Sequence, residues 1–132
     1  MLIRDVMTPN PITARPGSTI GEVAETLLRE DIRHVPVVDN GAVIGVVSDR
    51  DLRQFVRDTL TDTAAARRHL TAAVSTIMST DVISAEADDE LDVAIERMVE
   101  SKISALPVID GDGALVGIIT THDVLKQALG KL

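Results

Sequence analysis

The chain has no cysteine, no tryptophan and no tyrosine, and Phe55 is its single phenylalanine. Without thiols, disulfides, thiolate metal centres and cysteine nucleophiles are excluded. Without aromatic rings there is no platform on which single-stranded nucleic acid stacks, so a planar ligand would have to lie between aliphatic side chains. Positive charge is also scarce: 13 Lys and Arg face 21 Asp and Glu, a net charge of −8. Nucleic-acid binding draws much of its affinity from a basic face, so no nucleic-acid partner is expected. No apolar run is long enough to cross a bilayer, and Met1 to Met7 holds no signal-peptide core. The expectation is a cytoplasmic protein with no membrane partner.

What the chain does have is apolar material, 45% of its 132 residues. That suffices for a core without a metal or disulfide staple, in one domain or a compact pair of repeats. A duplication is visible once Met7 is laid over Met78. VMTPNPITA (6–14) then matches IMSTDVISA (77–85), and RHVPVVDNGAVIGVVSDRDL (33–52) matches SALPVIDGDGALVGIITTHDV (104–124). Between them, Ile20, Val23, Ala24, Leu27 and Leu28 follow the rhythm of an amphipathic helix, and Leu91, Ala94, Ile95, Met98 and Val99 repeat it. Ser18 or Thr19 can cap the first of these helices, and Asp88 or Asp89 the second.

Each repeat reads as strand, helix, strand, strand, helix, so the fold class is mixed α/β (α+β), with two βαββα units packed about a pseudo-two-fold axis. Short first strands are predicted at Pro11 to Ala14 and Val82 to Ala85. A hairpin follows in each copy, turning at Asp39-Asn40-Gly41 and at Asp110-Gly111-Asp112-Gly113. Pro36 and Pro107 fall inside its first strand and predict an edge or a bulge there. The boundaries drawn are 1–56 for the first repeat, 57–76 for a linking helix starting near Asp62, and 77–132 for the second repeat.

Each repeat ends in a glycine, two apolar residues and a hydroxyl-x-x-Asp: Gly45 to Asp51 and Gly117 to Asp123. Ser48 with Asp51, and Thr120 with Asp123, have the spacing of a helix capping box. The same geometry suits a ribonucleotide. A carboxylate accepts two hydrogen bonds from vicinal ribose hydroxyls, and a hydroxyl at a helix start can serve a phosphate. The two copies differ: the first carries Arg33, His34 and Arg50 where the second has Ser104, Ala105 and His122. In so acidic a chain these cations are the candidates for holding an anion.

Tandem βαββα units, each with an apolar-Pro-Val-apolar-Asp hairpin and a closing hydroxyl-x-x-Asp, resemble a pair of cystathionine β-synthase (CBS) domains, known as a Bateman module. The resemblance runs from about Val6 to Leu129. It implies a regulatory module that binds an adenosine ligand (AMP, ADP or ATP), is not an enzyme, and forms a homodimer that signals through its surface or to a protein effector. It implies a nucleotide site drawn from Ile12, Thr13, Ala14, Arg33, His34, Val35, Pro36, Ser48, Arg50 and Asp51 in the first repeat. In the second repeat the matching residues are Ile83, Ser84, Ala85, Leu106, Pro107, Thr120, His122 and Asp123. Crevices in this family draw on both repeats, so the one that Arg33 serves stays open. Core packing is the competing role for Ile12, Ile83, Val35 and Leu106, and close backbone approach or a bulge for Gly45 and Gly117.

Other chemistry finds less support. Asp110-Gly-Asp-Gly opens like a calcium loop, but Ala114 and Leu115 stand where a ligand and a glycine belong, so a turn is predicted. Asp49-x-Asp51 could hold Mg²⁺ beside a nucleotide, though carboxylates at a helix start also serve its dipole. The three histidines lack metal-ligand spacing, so no metal site and no catalytic cofactor are expected. Arg67-Arg68-His69 is read as a solvated helix face before a phosphate contact. Two alternatives remain: a scaffold whose crevices bind nothing, and a sensor of S-adenosylmethionine.

Overall fold

The computed structural model describes residues 1–59 and 63–131. Its elements in chain order are β1 (Thr8–Pro9), α1 (Ile20–Glu30), β2 (His34–Asp39), β3 (Ala42–Ser48), α2 (Asp49–Thr59), α3 (Thr63–Leu70), β4 (Ala85–Glu86), α4 (Leu91–Ser101), β5 (Ala105–Ile109), β6 (Leu115–Thr120) and α5 (Thr121–Ala128). Short 3-10 turns lie at Ile3–Asp5 and Val74–Thr76. The α/β class is as predicted. The linking helix is α3, which ends at Leu70; its start near Asp62 lies outside the described residues.

The chain divides into two compact units, and the division cuts across the repeats. One unit is Ile12–Val82; the other joins Met1–Pro11 to Ile83–Leu132. The N-terminal segment is claimed by the second repeat through specific pairs. Thr8 lies opposite Ile118 in an antiparallel bridge, Asn10 N–H donates to the Val116 carbonyl, and Ile3 N–H donates to the Asp89 carbonyl. In the 12–82 unit, Val46 and Ser79 make the matching exchange, each N–H donating to the other's carbonyl.

Within the 12–82 unit, β2 and β3 form the predicted hairpin. Asn40 and Gly41 have φ of 50° and 82°, the left-handed pair a two-residue turn requires. The β5–β6 hairpin turns instead around Asp110, whose Oδ1 accepts the N–H groups of Asp112 and Ala114. This is the turn expected there. The bulge expected from the prolines is present in both copies, as register shifts between Val37 and Val38 and between Val108 and Ile109.

The prolines also set the length of the first strands. Ala14 N–H donates to the Pro36 carbonyl and Val38 N–H to the Ala14 carbonyl, one rung of a parallel ladder. The rung before it needs an N–H at Pro36, and the rung after it an N–H at Pro16; neither exists. The expected strand from Pro11 is therefore a single bridge at Ala14. In the other unit Ala87 stands where Pro16 stands, and its N–H reaches the Ile109 carbonyl, so β4 runs Ala85–Glu86. Pro107 still ends that ladder before Ile83.

Each unit has its own core. Val23, Leu27, Val35, Val37, Val47 and Val74 close one; Ile3, Val6, Met98, Leu106, Val108 and Ile119 close the other. The amphipathic patterns hold in part, for Leu28 and Val99, the last apolar positions of each, are 84% and 71% exposed. Thr19 caps α1 in a capping box with Glu22. The cap expected at Asp88 or Asp89 does not form: Glu90 precedes α4 without a side-chain cap bond, Asp89 accepts from Glu86 N–H, and Asp88 pairs with Arg4.

Candidate functional site

Both hydroxyl-x-x-Asp stretches fold as capping boxes. Ser48 Oγ accepts the Asp51 N–H at 3.1 Å, while Asp51 Oδ2 accepts the Ser48 N–H at 2.8 Å and its hydroxyl at 3.0 Å. Thr120 and Asp123 repeat this at 3.1, 2.9 and 3.0 Å. The β-hairpin feeds directly into the helix, so each carboxylate is fixed where strand becomes helix. Asp49 N–H and Thr121 N–H add the same bond in each unit, to the Arg33 and Ser104 carbonyls.

The 12–82 unit gathers its predicted residues around this corner. His34 lies opposite Ser48 in the β2–β3 register, and Val35 opposite Val47. Burial holds the His34 imidazole below its ordinary pKa of 6.5; the Asp51 carboxylate opposes the shift, Arg33 adds to it, and Asp49 opposes it. Arg33 and Arg50 are exposed, as cations available to an anion must be. Ile12, 40% exposed, and Thr13 precede the Ala14 bridge. Because Pro36 ends the ladder, the Ile12 carbonyl accepts no hydrogen bond from the described residues.

The other unit arranges Ile83, Ser84 and Ala85 beside β5 in the same way, and the Ile83 carbonyl is likewise unpaired among the described residues. The Ser84 carbonyl accepts from Arg97 at 2.5 Å. His122 is exposed on the first turn of α5.

Four predicted residues have another role. Val35 and Leu106 are 1% and 0% exposed within the cores, and Pro36 and Pro107 are also fully enclosed. All four side chains lie in the packing, the role that competes with closing a base pocket for Val35 and Leu106, and the two prolines end the ladders. Gly45 and Gly117 are sites of close approach: a Cβ there would lie 2.6 Å from the Met78 sulfur or 2.5 Å from that of Met7.

The structure adds a cavity that sequence reasoning missed. It lies in the 12–82 unit, has a volume of about 350 Å³, and is lined by Asp51, Gln54, Phe55 and Asp58 of α2 with His69, Thr76 and others. Of the predicted site residues only Asp51 reaches it. Phe55 and His69 meet there edge to face, ring centres 6.2 Å apart. The one signal in the sequence was the i, i+3, i+4, i+7 spacing of the four α2 residues, but their partners come from a segment outside the repeats. Arg67 and Arg68 are exposed on α3, as a solvated face requires. Asp49 pairs with Arg53 at 3.4 Å. Among the described residues no three carboxylate or imidazole groups gather as metal ligands.

With this geometry the comparison with known proteins is decisive. The CBS domain profile matches residues 3–58 and 74–130. The chain belongs to the CBS-domain family. The MJ1225 protein of Methanocaldococcus jannaschii, of uncharacterised function, is 35% identical over 129 residues, 95% of this chain and 46% of its own. Its crystal structure aligns with a TM-score of 0.85 at 34% identity over 96% of this chain and 47% of that one. Inosine-5′-monophosphate dehydrogenase of the same organism is 32% identical over 93% of this chain, which spans 23% of the enzyme. The chain thus spans about half or about a quarter of these curated relatives. Two CBS structures match nearly end to end. The CBS domain pair of MJ0100, in complex with 5′-methylthioadenosine and S-adenosyl-L-methionine, has a TM-score of 0.82 at 29% identity, covering 100% of this chain and 98% of that one. CBSX2 in complex with AMP has the same TM-score and identity, covering 98% and 96%. No described helix is long and apolar enough to cross a membrane.

Proposed function

We propose that this CBS domain pair is a regulatory module that binds an adenosine ligand, AMP, ADP or ATP, and passes the bound state on through a homodimer surface or to a protein effector. The observation that carries this is the capped carboxylate: Asp51 is fixed by Ser48 at the start of α2 while one of its oxygens accepts no bond from the described residues, as a vicinal diol needs. The Ile12 carbonyl, unpaired among the described residues, offers an acceptor for an exocyclic amino group. Arg33 and Arg50 bring positive charge to an otherwise acidic chain. Two solved relatives, one with AMP and one with methylthioadenosine and S-adenosylmethionine, support the adenosine class.

The reading gives the chain no catalytic step. Its enzyme relatives match it over about a quarter of their length, the portion a regulatory module would occupy. A homodimer is supported by apolar side chains left on helices of each unit, Leu28 in one and Val99 and Leu125 in the other.

S-adenosylmethionine is the second reading. It keeps the diol on the carboxylate and drops the need for phosphate contacts, and the MJ0100 complex favours it. Calorimetric titration of nucleotide-free protein with AMP, ADP, ATP and S-adenosylmethionine, with and without Mg²⁺, separates the two. Tighter binding of the phosphate-bearing ligands supports the nucleotide sensor, and tighter S-adenosylmethionine binding the alternative. No heat from any of them, in folded protein, would leave a ligand-free scaffold. A chain without Trp or Tyr absorbs little at 280 nm, so a co-purified purine would dominate its near-ultraviolet spectrum.

A further inference from the structure

The two capping aspartates have the same place in their repeats and different surroundings. Asp123 has both oxygens engaged. Oδ2 accepts from the Thr120 N–H and hydroxyl, and Oδ1 accepts from the Thr8 hydroxyl at 3.3 Å. Thr8 reaches it because β1 pairs with β6 in that unit. The residue is 8% exposed and is the one buried charged side chain among the described residues. Asp51 has the same two bonds to Oδ2 from Ser48, and Oδ1 accepts none from the described residues. The repeat counterpart of Thr8 is Ser79, which exchanges backbone bonds with Val46 but sends no side-chain bond to Asp51. Asp51 is partly exposed and lines the cavity of about 350 Å³, a size in the range of small-molecule sites.

We infer that only Asp51 serves as the ribose-binding carboxylate, that Thr8 ties Asp123 into a structural role, and that each chain therefore binds a single adenosine ligand. This rests on the adenosine reading above and deepens it. A diol delivers two O–H donors to one carboxylate. On Asp51 both can be accepted by open lone pairs, since Oδ1 accepts no bond from the described residues. On Asp123 the diol would have to displace the Thr8 hydroxyl and reach a carboxylate that is already buried. The non-equivalence comes from the Thr8 hydroxyl bonding its repeat's carboxylate where the Ser79 hydroxyl makes no such bond among the described residues.

Calorimetry with AMP on the full chain tests this through stoichiometry and two isosteric substitutions. The expected result is one AMP per chain. Asp51→Asn should weaken it about 10- to 100-fold, the loss of a charge-assisted hydrogen-bond pair. Asp123→Asn should leave affinity within about 2-fold and lower the melting temperature. Should Asp123→Asn not fold, Thr8→Val frees Oδ1 alone: the Asp51 site should keep its affinity while a second, weaker AMP is admitted, and a stoichiometry still of one would overturn the part assigned to Thr8. Two AMP per unsubstituted chain, or binding lost through Asp123→Asn and kept in Asp51→Asn, would overturn the inference while leaving the adenosine reading intact. No binding of any adenosine ligand by folded protein would overturn both.

Discussion

Gly45 presents its α-carbon to Met78 so closely that an added Cβ would lie 2.6 Å from the sulfur and 3.0 Å from the Ser79 carbonyl oxygen. The other unit repeats the relationship between Gly117 and Met7, with the Thr8 carbonyl at 3.0 Å. A methionine tip can swing away, but the carbonyl belongs to a backbone already paired with the strand. Alanine at either position is expected to cost about 1–3 kcal/mol, the range for overpacking. Gly17→Ala and Gly111→Ala, which meet nothing within 4 Å, should cost far less. Denaturant midpoints of the four variants check this.

His34 makes stability depend on acidity. Its folded-state pKa lies below the ordinary 6.5, chiefly because burial disfavours the imidazolium. The unfolded chain then binds more protons between the two values, so the contribution is fully present above about pH 6.5 and is lost as pH falls through the folded pKa. Melting temperature should fall from pH 7.5 to pH 5.5, and His34→Gln should flatten that part of the profile. An unchanged slope in the variant would place the acid sensitivity elsewhere.

The caps separate a sensor from a scaffold. Thr19→Ala removes the capping box of α1, which makes no bond to Ser48 or Asp51, and should cost about 1 kcal/mol with little effect on ligand affinity. Ser48→Ala removes the cap of α2 at similar cost, but also loosens the carboxylate that receives the ribose. Affinity for AMP should drop with it. If both variants lose only stability, the hydroxyl-x-x-Asp stretch is a cap and nothing more.

Much of this was legible in the residues. The duplication, the Asn40-Gly41 turn and the bulges after Pro36 and Pro107 are local signals, written in residues whose backbone options are few. Both capping boxes could be read from spacing alone. What could not be read is non-local. Nothing in Met1 to Pro11 says that it pairs with β6, more than a hundred residues on, so the Thr8 contact that distinguishes Asp123 from Asp51 was invisible. The burial of Val35 and Leu106 was equally open, since a valine before a proline fits a core and a pocket wall alike. The cavity beside α2 escaped because half its lining comes from the stretch that has no repeat partner.

The most direct test of the diol-binding role of Asp51 is the affinity of the chain for AMP against 2′-deoxy-AMP, which differ only in one of the hydroxyls that the carboxylate is expected to hold. The account predicts that the deoxy ligand binds about 10-fold or more weakly, and that Asp51→Asn removes the difference. Equal affinity for the two ligands in the unsubstituted protein would contradict it.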